Sequence, residues 1–213
     1  MRVVDRTIDG VEGRQSTVDV LEGAFNPFAP DPMTVVGATV ETPGAGTAGA
    51  TSSTVSVRPA EGFIGQMVTR FRVRDVTGDP DREVEGRVTV VVRGKPATPT
   101  APRIGEVRDR TVVLSWDAPD NRGAPITGYR VVASPGNLVR QCASTTCTID
   151  GLTNDVEYTF TVAAQNEVDW SEPSSPSAPA RPDAVPDAPA APTLEFGDGS
   201  DQSTSFCAAT VNV

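Results

Sequence analysis

The residue types that carry most enzyme chemistry are scarce in this sequence of 213 residues. Histidine is absent, which removes every catalytic triad or metal site that needs an imidazole. A tetrahedral zinc site needs four ligands, and the neighbouring pair Cys142 and Cys147 with no histidine does not supply them. The sequence also lacks the G-x-S-x-G elbow, the Walker A loop and the H-E-x-x-H motif. We therefore predict that this protein is not an enzyme and that it needs no cofactor and no metal.

Cys142 and Cys147 are separated by four residues, the length of a short loop. If the pair flanks a hairpin loop, its Cα atoms face each other about 4.5–5.5 Å apart, within the range of a disulfide. Such a bond implies an oxidising compartment. The alternative is two reduced thiols. The spacing favours a Cys142–Cys147 disulfide and leaves Cys207 without an obvious partner.

Three arginines, Arg70, Arg72 and Arg74, alternate with apolar residues and so share the outward face of a predicted strand. One interpretation is a basic stripe that contacts a sulfated or phosphorylated polymer. The other is cross-strand pairing, with Arg72 opposite Glu85 and Arg74 opposite Glu83. Arg70 would then face a second arginine at position 87. We favour pairing.

Four acidic residues, Asp75, Asp79, Asp81 and Glu83, surround an apparent turn. Carboxylates grouped in a turn can bind calcium. A solvated acidic turn needs no ion, and we favour that interpretation.

The net charge of −10 opposes phosphate backbones, so we expect no nucleic-acid partner. No apolar run approaches the roughly 18 residues of a membrane span, so we expect none in this chain. Lys95 is the only lysine among 18 basic residues, a composition similar to that of proteins from high-GC bacteria.

Short runs of alternating valine or threonine and polar residues recur along the chain, separated by glycine and proline. A period of two indicates half-buried β-strands, and the length allows two domains of about 100 residues. We predict an all-β protein of two immunoglobulin-like β-sandwiches in tandem, with a Pro-rich C-terminal extension.

Two Pro-rich stretches divide the chain. The predicted segments are residues 1–10, the tail of a preceding segment; 11–94, the first sandwich; 95–101, a linker; 102–182, the second sandwich; and 183–213, a Pro-rich linker with the incomplete start of another module. Proline recurs at nearly every third position from Pro173 to Pro192, which favours polyproline II. We interpret this stretch as a spacer whose start can form an edge strand, although PxxP spacing is also that of an SH3-type ligand.

Residues 102–180 resemble a fibronectin type III domain. The landmarks, in chain order, are Pro102, Leu114–Pro119, Ile126–Val131 and Gly151–Val162. The resemblance implies that the structural core contains Trp116, Tyr129, Leu152, Tyr158 and Phe160. It also implies a tyrosine corner, in which the Tyr158 hydroxyl bonds to upstream backbone.

Function in this family usually resides in loops, and Asn166–Ser171 corresponds to one of them. An exposed Trp170 could stack on a sugar. The alternative, which we favour, has Trp170 folded back over the sandwich edge beside Pro173.

The first domain, residues 11–93, resembles a bacterial immunoglobulin-like or cadherin-like repeat. The resembling stretches are Val18–Leu21, Asp31–Val35, Val55–Pro59, Gly62–Gly65, Phe71–Asp75 and Val88–Val92. Both resemblances imply a non-catalytic, extracellular spacer or adhesive module, a monomer, from a bacterial multidomain repeat protein. Its partner would be a protein or a cell-wall or extracellular polysaccharide. The alternative is an accessory region of a secreted polysaccharide-degrading enzyme. This step rests on family analogy.

Overall fold

A computed structural model describes residues 1–183. They form thirteen β-strands and one short 3-10 helix, arranged as four sheets around two separate hydrophobic cores. The predicted all-β class with two immunoglobulin-like sandwiches is confirmed. The predicted start of another module after residue 183, and Cys207 with it, lie outside the described residues. Residues 1–183 contain no helix with the length and hydrophobicity needed to span a bilayer.

The first sandwich contains seven strands. They are β1 (Arg6–Val11), β2 (Ser16–Asp19), β3 (Thr34–Val40), β4 (Gly46–Ala50), β5 (Thr54–Pro59), β6 (Gly65–Arg74) and β7 (Val84–Arg93). One sheet has the order β1-β7-β6-β3 and the other the order β2-β5-β4. The 3-10 helix, Pro80–Arg82, lies between β6 and β7.

Strand β1 runs parallel to β7, with Arg6 opposite Val88 and Val11 opposite Arg93. Ile8 packs against the core of the first sandwich. The assignment of the whole of residues 1–10 to a preceding segment is therefore wrong, because residues 6–10 belong to an edge strand of the first sandwich. Local periodicity does not reveal the pairing, since the partner strand lies about 80 residues further along the chain.

The ladder between β6 and β7 forms the centre of this sandwich. Alternate residues of both strands face inward, because successive side chains of a strand point to opposite faces. Met67, Phe71 and Val73 of β6 are fully buried, as are Val88 and Val90 of β7. Burial of each such side chain contributes on the order of 1.5–3 kcal/mol, so this face accounts for much of the stability of the domain.

The second sandwich contains six strands. They are β8 (Arg103–Arg108), β9 (Thr111–Ser115), β10 (Gly128–Ser134), β11 (Leu138–Cys142), β12 (Thr146–Ile149) and β13 (Thr159–Gln165). The two sheets have the orders β12-β9-β8 and β11-β10-β13. The inward residues of β9, β10, β12 and β13 enclose one core.

The Pro-rich stretch begins as a further edge of this second sheet. The backbone N–H groups of Ser171, Ser174 and Ser177 donate to the carbonyl oxygens of Ala164, Val162 and Phe160 at 2.8–2.9 Å. The hydroxyls of the same serines accept from the N–H groups of the same three residues at 3.0 Å. A contact at every third residue has the period of a polyproline II helix. Residues 171–177 are therefore tied to β13 by backbone and side chain together, and the backbone of Ala180 and Pro182 bonds to Tyr158 and Asp155.

Candidate functional site

The five residues assigned to the core of the second sandwich lie in one cluster. Trp116 and Tyr129 meet edge to face, with ring centroids 5.3 Å apart. Tyr158 and Phe160 stack with centroids 6.4 Å apart, and Leu152 is fully buried. Burial raises the pKa of Tyr129. These residues act in packing and offer no exposed surface to a ligand.

The hydroxyl of Tyr158 accepts a hydrogen bond from the backbone N–H of Thr153 at 3.2 Å. Both residues lie in the connection between β12 and β13, which belong to different sheets, so the bond fixes the segment where the chain crosses from one sheet to the other. The contact has the form of the tyrosine corner that the resemblance implies.

Cys142 and Cys147 form a disulfide, with Cα atoms 5.8 Å apart. The bond does not cross a hairpin ladder. Strand β11, which ends at Cys142, pairs with β10, whereas β12, which contains Cys147, pairs with β9 in the other sheet. The chain passes between sheets at residues 143–145, so the disulfide joins the two sheets at one margin of the sandwich.

The predicted basic stripe is paired with acidic residues. Glu83 contacts Arg72 at 3.4 Å and Arg74 at 2.5 Å, and Glu85 contacts Arg70 at 3.3 Å. The register sets Arg72 opposite Glu85, as expected, but Arg72 pairs diagonally with Glu83. Arg70 likewise pairs diagonally with Glu85, and Arg74 pairs with Glu83 as expected. Because glutamates neutralise these guanidinium groups, the stripe does not present a free basic surface.

Arg70 lies opposite Arg87, a pair of like charges. The repulsion between them is reduced by an acidic residue that follows a third strand, β3. Glu41, next to the end of β3, contacts the Nε atoms of Arg70 at 3.6 Å and Arg87 at 2.9 Å. The bond to Glu41 raises the pKa of Arg87. A single carboxylate between two guanidinium groups therefore removes the repulsion in this pair.

The acidic turn after β6 is organised around Asp75, whose side chain is fully buried. Its carboxylate accepts from the hydroxyl and backbone N–H of Thr77 and from Nε of Arg82 at 2.9 Å. These bonds, led by that from the Thr77 hydroxyl, hold the pKa of Asp75 below its ordinary value. Arg82 in turn lies over the ring of Phe28, 4.9 Å from its centroid.

This arrangement leaves Asp75 with protein partners on both oxygens. Within residues 1–183, no group of three or more acidic or cysteine side chains has the placement of a metal site. Asp79 and Asp81 are exposed, as in a solvated turn, whereas Asp75 is buried and bonded within the protein. Through Arg82, Asp75 is linked to the 3-10 helix and to the ring of Phe28.

Trp170 is half-buried and lies beside the β11-β10-β13 sheet of the second sandwich. It forms a bridge with Gln165, and the guanidinium of Arg130 lies 4.5 Å from its ring centroid. One face of the indole is therefore covered by a cation, an arrangement worth about 0.5–1 kcal/mol at an exposed position. Trp170 folds back onto the sheet, with Arg130 rather than Pro173 as its observed partner.

The clearest cluster of buried polar groups lies where the two sandwiches meet. Asn166 in the loop after β13 is 3% exposed, and its amide donates to the carbonyl oxygens of Gly94 at 2.7 Å and Asn121 at 3.1 Å. Gly94 also donates its N–H to the carbonyl of Arg122 at 2.9 Å. One buried side chain thus joins the residue that follows β7 to two loops of the second sandwich.

Ion pairs surround this buried contact. Arg122 donates to Glu12 of the first sandwich at 2.9 Å, and Glu12 also accepts from the N–H of Gly62 at 2.7 Å. Arg93 contacts Glu167 of the second sandwich at 2.7 Å. We name these residues with Gly94, Asn121 and Asn166 the junction. It connects the domains by side chains of both and not by the linker alone.

The space around Gly94 explains its identity. A Cβ atom there would lie 2.5 Å from a carboxylate oxygen of Glu12 and 2.9 Å from the side chain of Ile64. A side chain there would require the ends of the Glu12 and Ile64 side chains to move, and the Glu12 carboxylate is held by Arg122 and Gly62. Lys95, the next residue, donates to Glu172 at 2.7 Å, and that bond raises the pKa of Lys95.

Sequence reasoning did not identify the junction. Asn166 and Arg122 stand in loops, and the acceptors of their side-chain N–H groups lie more than 40 positions away in the chain. The available signal was indirect: an asparagine in the loop after β13, with no indication of its partner. The junction becomes visible only when the two domains are placed together.

Comparison with known proteins identifies one part of the chain. Residues 97–179 match the family model of the fibronectin type III domain. The second sandwich is a fibronectin type III domain. Most of the linker and most of the Pro-rich edge fall within this match, whereas the first sandwich precedes it.

Relatives of the fibronectin type III domain are parts of much longer proteins. Human contactin-4 is 39% identical over 97 residues, which are 40% of this chain and 9% of that protein. The sax-3 protein of Caenorhabditis elegans is 41% identical over 87 residues, which are 37% of this chain and 7% of that protein. The chain thus spans less than a tenth of the length of these relatives.

A crystal structure of domains from titin is similar to both sandwiches. The superposition covers 82% of this chain and 61% of the titin chain, with a TM-score of 0.52 and 23% sequence identity. At this identity the likeness concerns the fold. It supports two immunoglobulin-like or fibronectin-like sandwiches in series.

Proposed function

We propose that this chain is a non-catalytic spacer or adhesive module of an extracellular, bacterial multidomain repeat protein. The observation that carries the proposal is the junction, in which Asn166 is buried between the sandwiches and bonded to Gly94. A tandem whose domains bond to each other transmits orientation along the chain. The loops around Asn166 and Arg122 are engaged with the first sandwich, so they are not free to hold a ligand at their tips.

The disulfide and the charge support the extracellular setting. A Cys142–Cys147 bond persists in oxidising compartments and is rare in the cytosol. The net charge of −10 favours solubility and a monomer over association with anionic surfaces. The bacterial source rests on the arginine-rich composition and on the resemblance of the first sandwich to bacterial repeats, whereas the relatives named above are animal proteins.

Spin-label distances between the two domains test the spacer role. Thr17→Cys in β2 and Val139→Cys in β11 are exposed positions for labels, with Cys207→Ser to remove the remaining thiol. We expect a narrow distance distribution. The double variant Glu12→Gln, Glu167→Gln removes both junction ion pairs and should broaden it, whereas Glu85→Gln, which removes a pair far from the junction, should not.

A broad distribution in the protein without junction substitutions would contradict the proposal. Flexible tethering would then be the function of the linker, and the junction contacts would be too weak to orient the domains.

The second candidate is an accessory region of a polysaccharide-degrading enzyme, with weak carbohydrate binding. Its support is Trp170, whose indole remains half exposed beside Arg130. Sedimentation with insoluble cell-wall or plant polysaccharides tests it. Binding that disappears in Trp170→Ala favours this candidate, and binding that is absent or unchanged removes Trp170 from consideration.

A further inference from the structure

We propose that residues 172–181 form a preformed polyproline II ligand for a partner domain with an aromatic-lined groove and an acidic rim, of the SH3 type. The inference concerns an interaction surface and does not depend on the spacer role. It starts from the three-residue repeat of this edge, in which each turn contributes one anchored residue and two outward residues.

The anchored row faces β13. Ser171, Ser174, Ser177 and Ala180 are buried, and each bonds to β13 or to Tyr158 through its backbone N–H. The three serine hydroxyls also donate to the carbonyl of the residue that follows each of them. This row is unavailable to a partner.

The other two rows point away from the sheet. Glu172, Ser175 and Ala178 are exposed, and so are the prolines that follow them: Pro173, Pro176 and Pro179. A polyproline II helix has three residues per turn, so a groove can contact at most two of its three rows. The two rows that a groove would need are the two that this structure leaves exposed.

Anchoring also lowers the cost of binding. A free peptide loses conformational entropy when a groove orders it, and a segment already held in its bound shape avoids that loss. Within residues 1–183, no hydrogen bond uses the carbonyl oxygens of Pro173, Pro176 or Pro179. These carbonyls can accept from tryptophan or tyrosine side chains, which commonly line grooves of this kind.

Charge sets the direction of the ligand. Pro176, Pro179 and Arg181 follow the order P-x-x-P-x-R, and the side chain of Arg181 is 61% exposed. Its pair with Asp155 at 2.9 Å lies in solvent, where such pairs contribute little. An acidic rim in the partner can replace Asp155, because the exchange keeps the guanidinium paired. Glu172 at the opposite end is bonded to Lys95 and would repel the same rim.

The proposal is tested by calorimetric titration of the whole 213-residue chain with an isolated SH3 domain whose acidic pocket binds an arginine of its ligand. We expect saturable binding that weakens by at least about tenfold in the double variant Pro176→Ala, Pro179→Ala, since both prolines lie in an outward row of the polyproline II helix. Arg181→Glu should weaken binding to a similar degree. Thermal unfolding of each variant shows whether the second sandwich is intact.

The matched control is Pro186→Ala, Pro189→Ala, which alters the next PxxP pair of the sequence, outside the described residues. Binding should be unchanged within about twofold in this control. No saturable binding by the whole chain, or binding lost in the control but kept in the Pro176, Pro179 variant, overturns the proposal. If the Pro176, Pro179 variant does not fold, Arg181→Glu alone decides, because that side chain lies outside the serine anchors.

Discussion

The side-chain amide of Asn166, in the second sandwich, donates to the carbonyl oxygen of Gly94, directly after the last strand of the first sandwich, at 2.7 Å. The same asparagine accepts from the N–H groups of Val168 and Asp169 through its Oδ1. One buried side chain therefore shapes its own loop with its oxygen and holds the neighbouring domain with its nitrogen.

Asn166→Asp should separate these two roles. The carboxylate keeps the acceptor for the loop but loses the donor to Gly94, which leaves buried carbonyls without a partner. We expect a loss of about 1–3 kcal/mol in unfolding free energy and faster hydrogen exchange at the Gly94 amide. The control is Gln141→Ala, an exposed amide of β11, which should change neither. Wild-type stability in Asn166→Asp would mean that the junction bond has no net effect.

Thr69 offers a stabilising substitution. It lies fully buried in β6 between Met67 and Phe71, and its hydroxyl has no hydrogen-bond partner within residues 1–183. Valine has nearly the same shape and no polar group to desolvate. Thr69→Val should raise the unfolding free energy of the first sandwich by about 1 kcal/mol in urea titrations.

The outward residue Thr89 of β7 provides the comparison for Thr69. Thr89→Val should change the free energy by no more than about 0.5 kcal/mol, because this residue is only half-buried. A destabilised Thr69→Val variant would show that a water or an unseen acceptor satisfies the hydroxyl.

Asp75 should give the first sandwich a specific sensitivity to acid. Its pKa in the folded protein lies below the ordinary value of about 3.9 because Thr77 and Arg82 bond to the ionised form. The stabilisation is therefore complete above the unfolded pKa and is lost as pH falls through the folded pKa. The stability difference between the wild type and Asp75→Asn should be constant above about pH 5 and should shrink below about pH 4.

Urea titrations between pH 2.5 and pH 7 measure this difference, with the exposed Asp31→Asn as a control that should show no comparable trend. A difference that stays constant down to the lowest pH would mean that the hydrogen bonds of Asp75 do not favour its ionised form.

The disulfide should stabilise the second sandwich without being essential to its fold. Closing a loop of four residues contributes about 2 kcal/mol in the chain-entropy model. We expect Cys142→Ala, Cys147→Ala to lower the unfolding free energy by about this amount, with Cys207→Ala present in both proteins so that no other thiol interferes. Alkylation of the non-reduced protein followed by intact mass should show no label on this pair, and two labels in exported protein would contradict the bond.

Much of this architecture is determined by local sequence. Alternation of the inward residues of β6 and β7, and of β9, β10 and β13, depends only on the period of the strand, so the all-β class and most core positions follow from reading a few residues at a time. The resemblance to a fibronectin type III domain assigned Trp116, Tyr129 and Phe160 to a core, and the alternation of their strands agrees with it. The nearness of Cys142 to Cys147 is likewise a property of four intervening residues.

Partner choice between distant segments was decided by tertiary structure alone. The parallel pairing of β1 with β7, the placement of Cys142 and Cys147 in different sheets, and the position of Glu41 between Arg70 and Arg87 all depend on where the chain crosses from sheet to sheet. The bond from Asn166 to Gly94 depends further on how one domain meets the other. A periodic pattern states which face of a strand is buried, but the same pattern is compatible with many neighbours, and the choice among them is made by the packing of the whole chain.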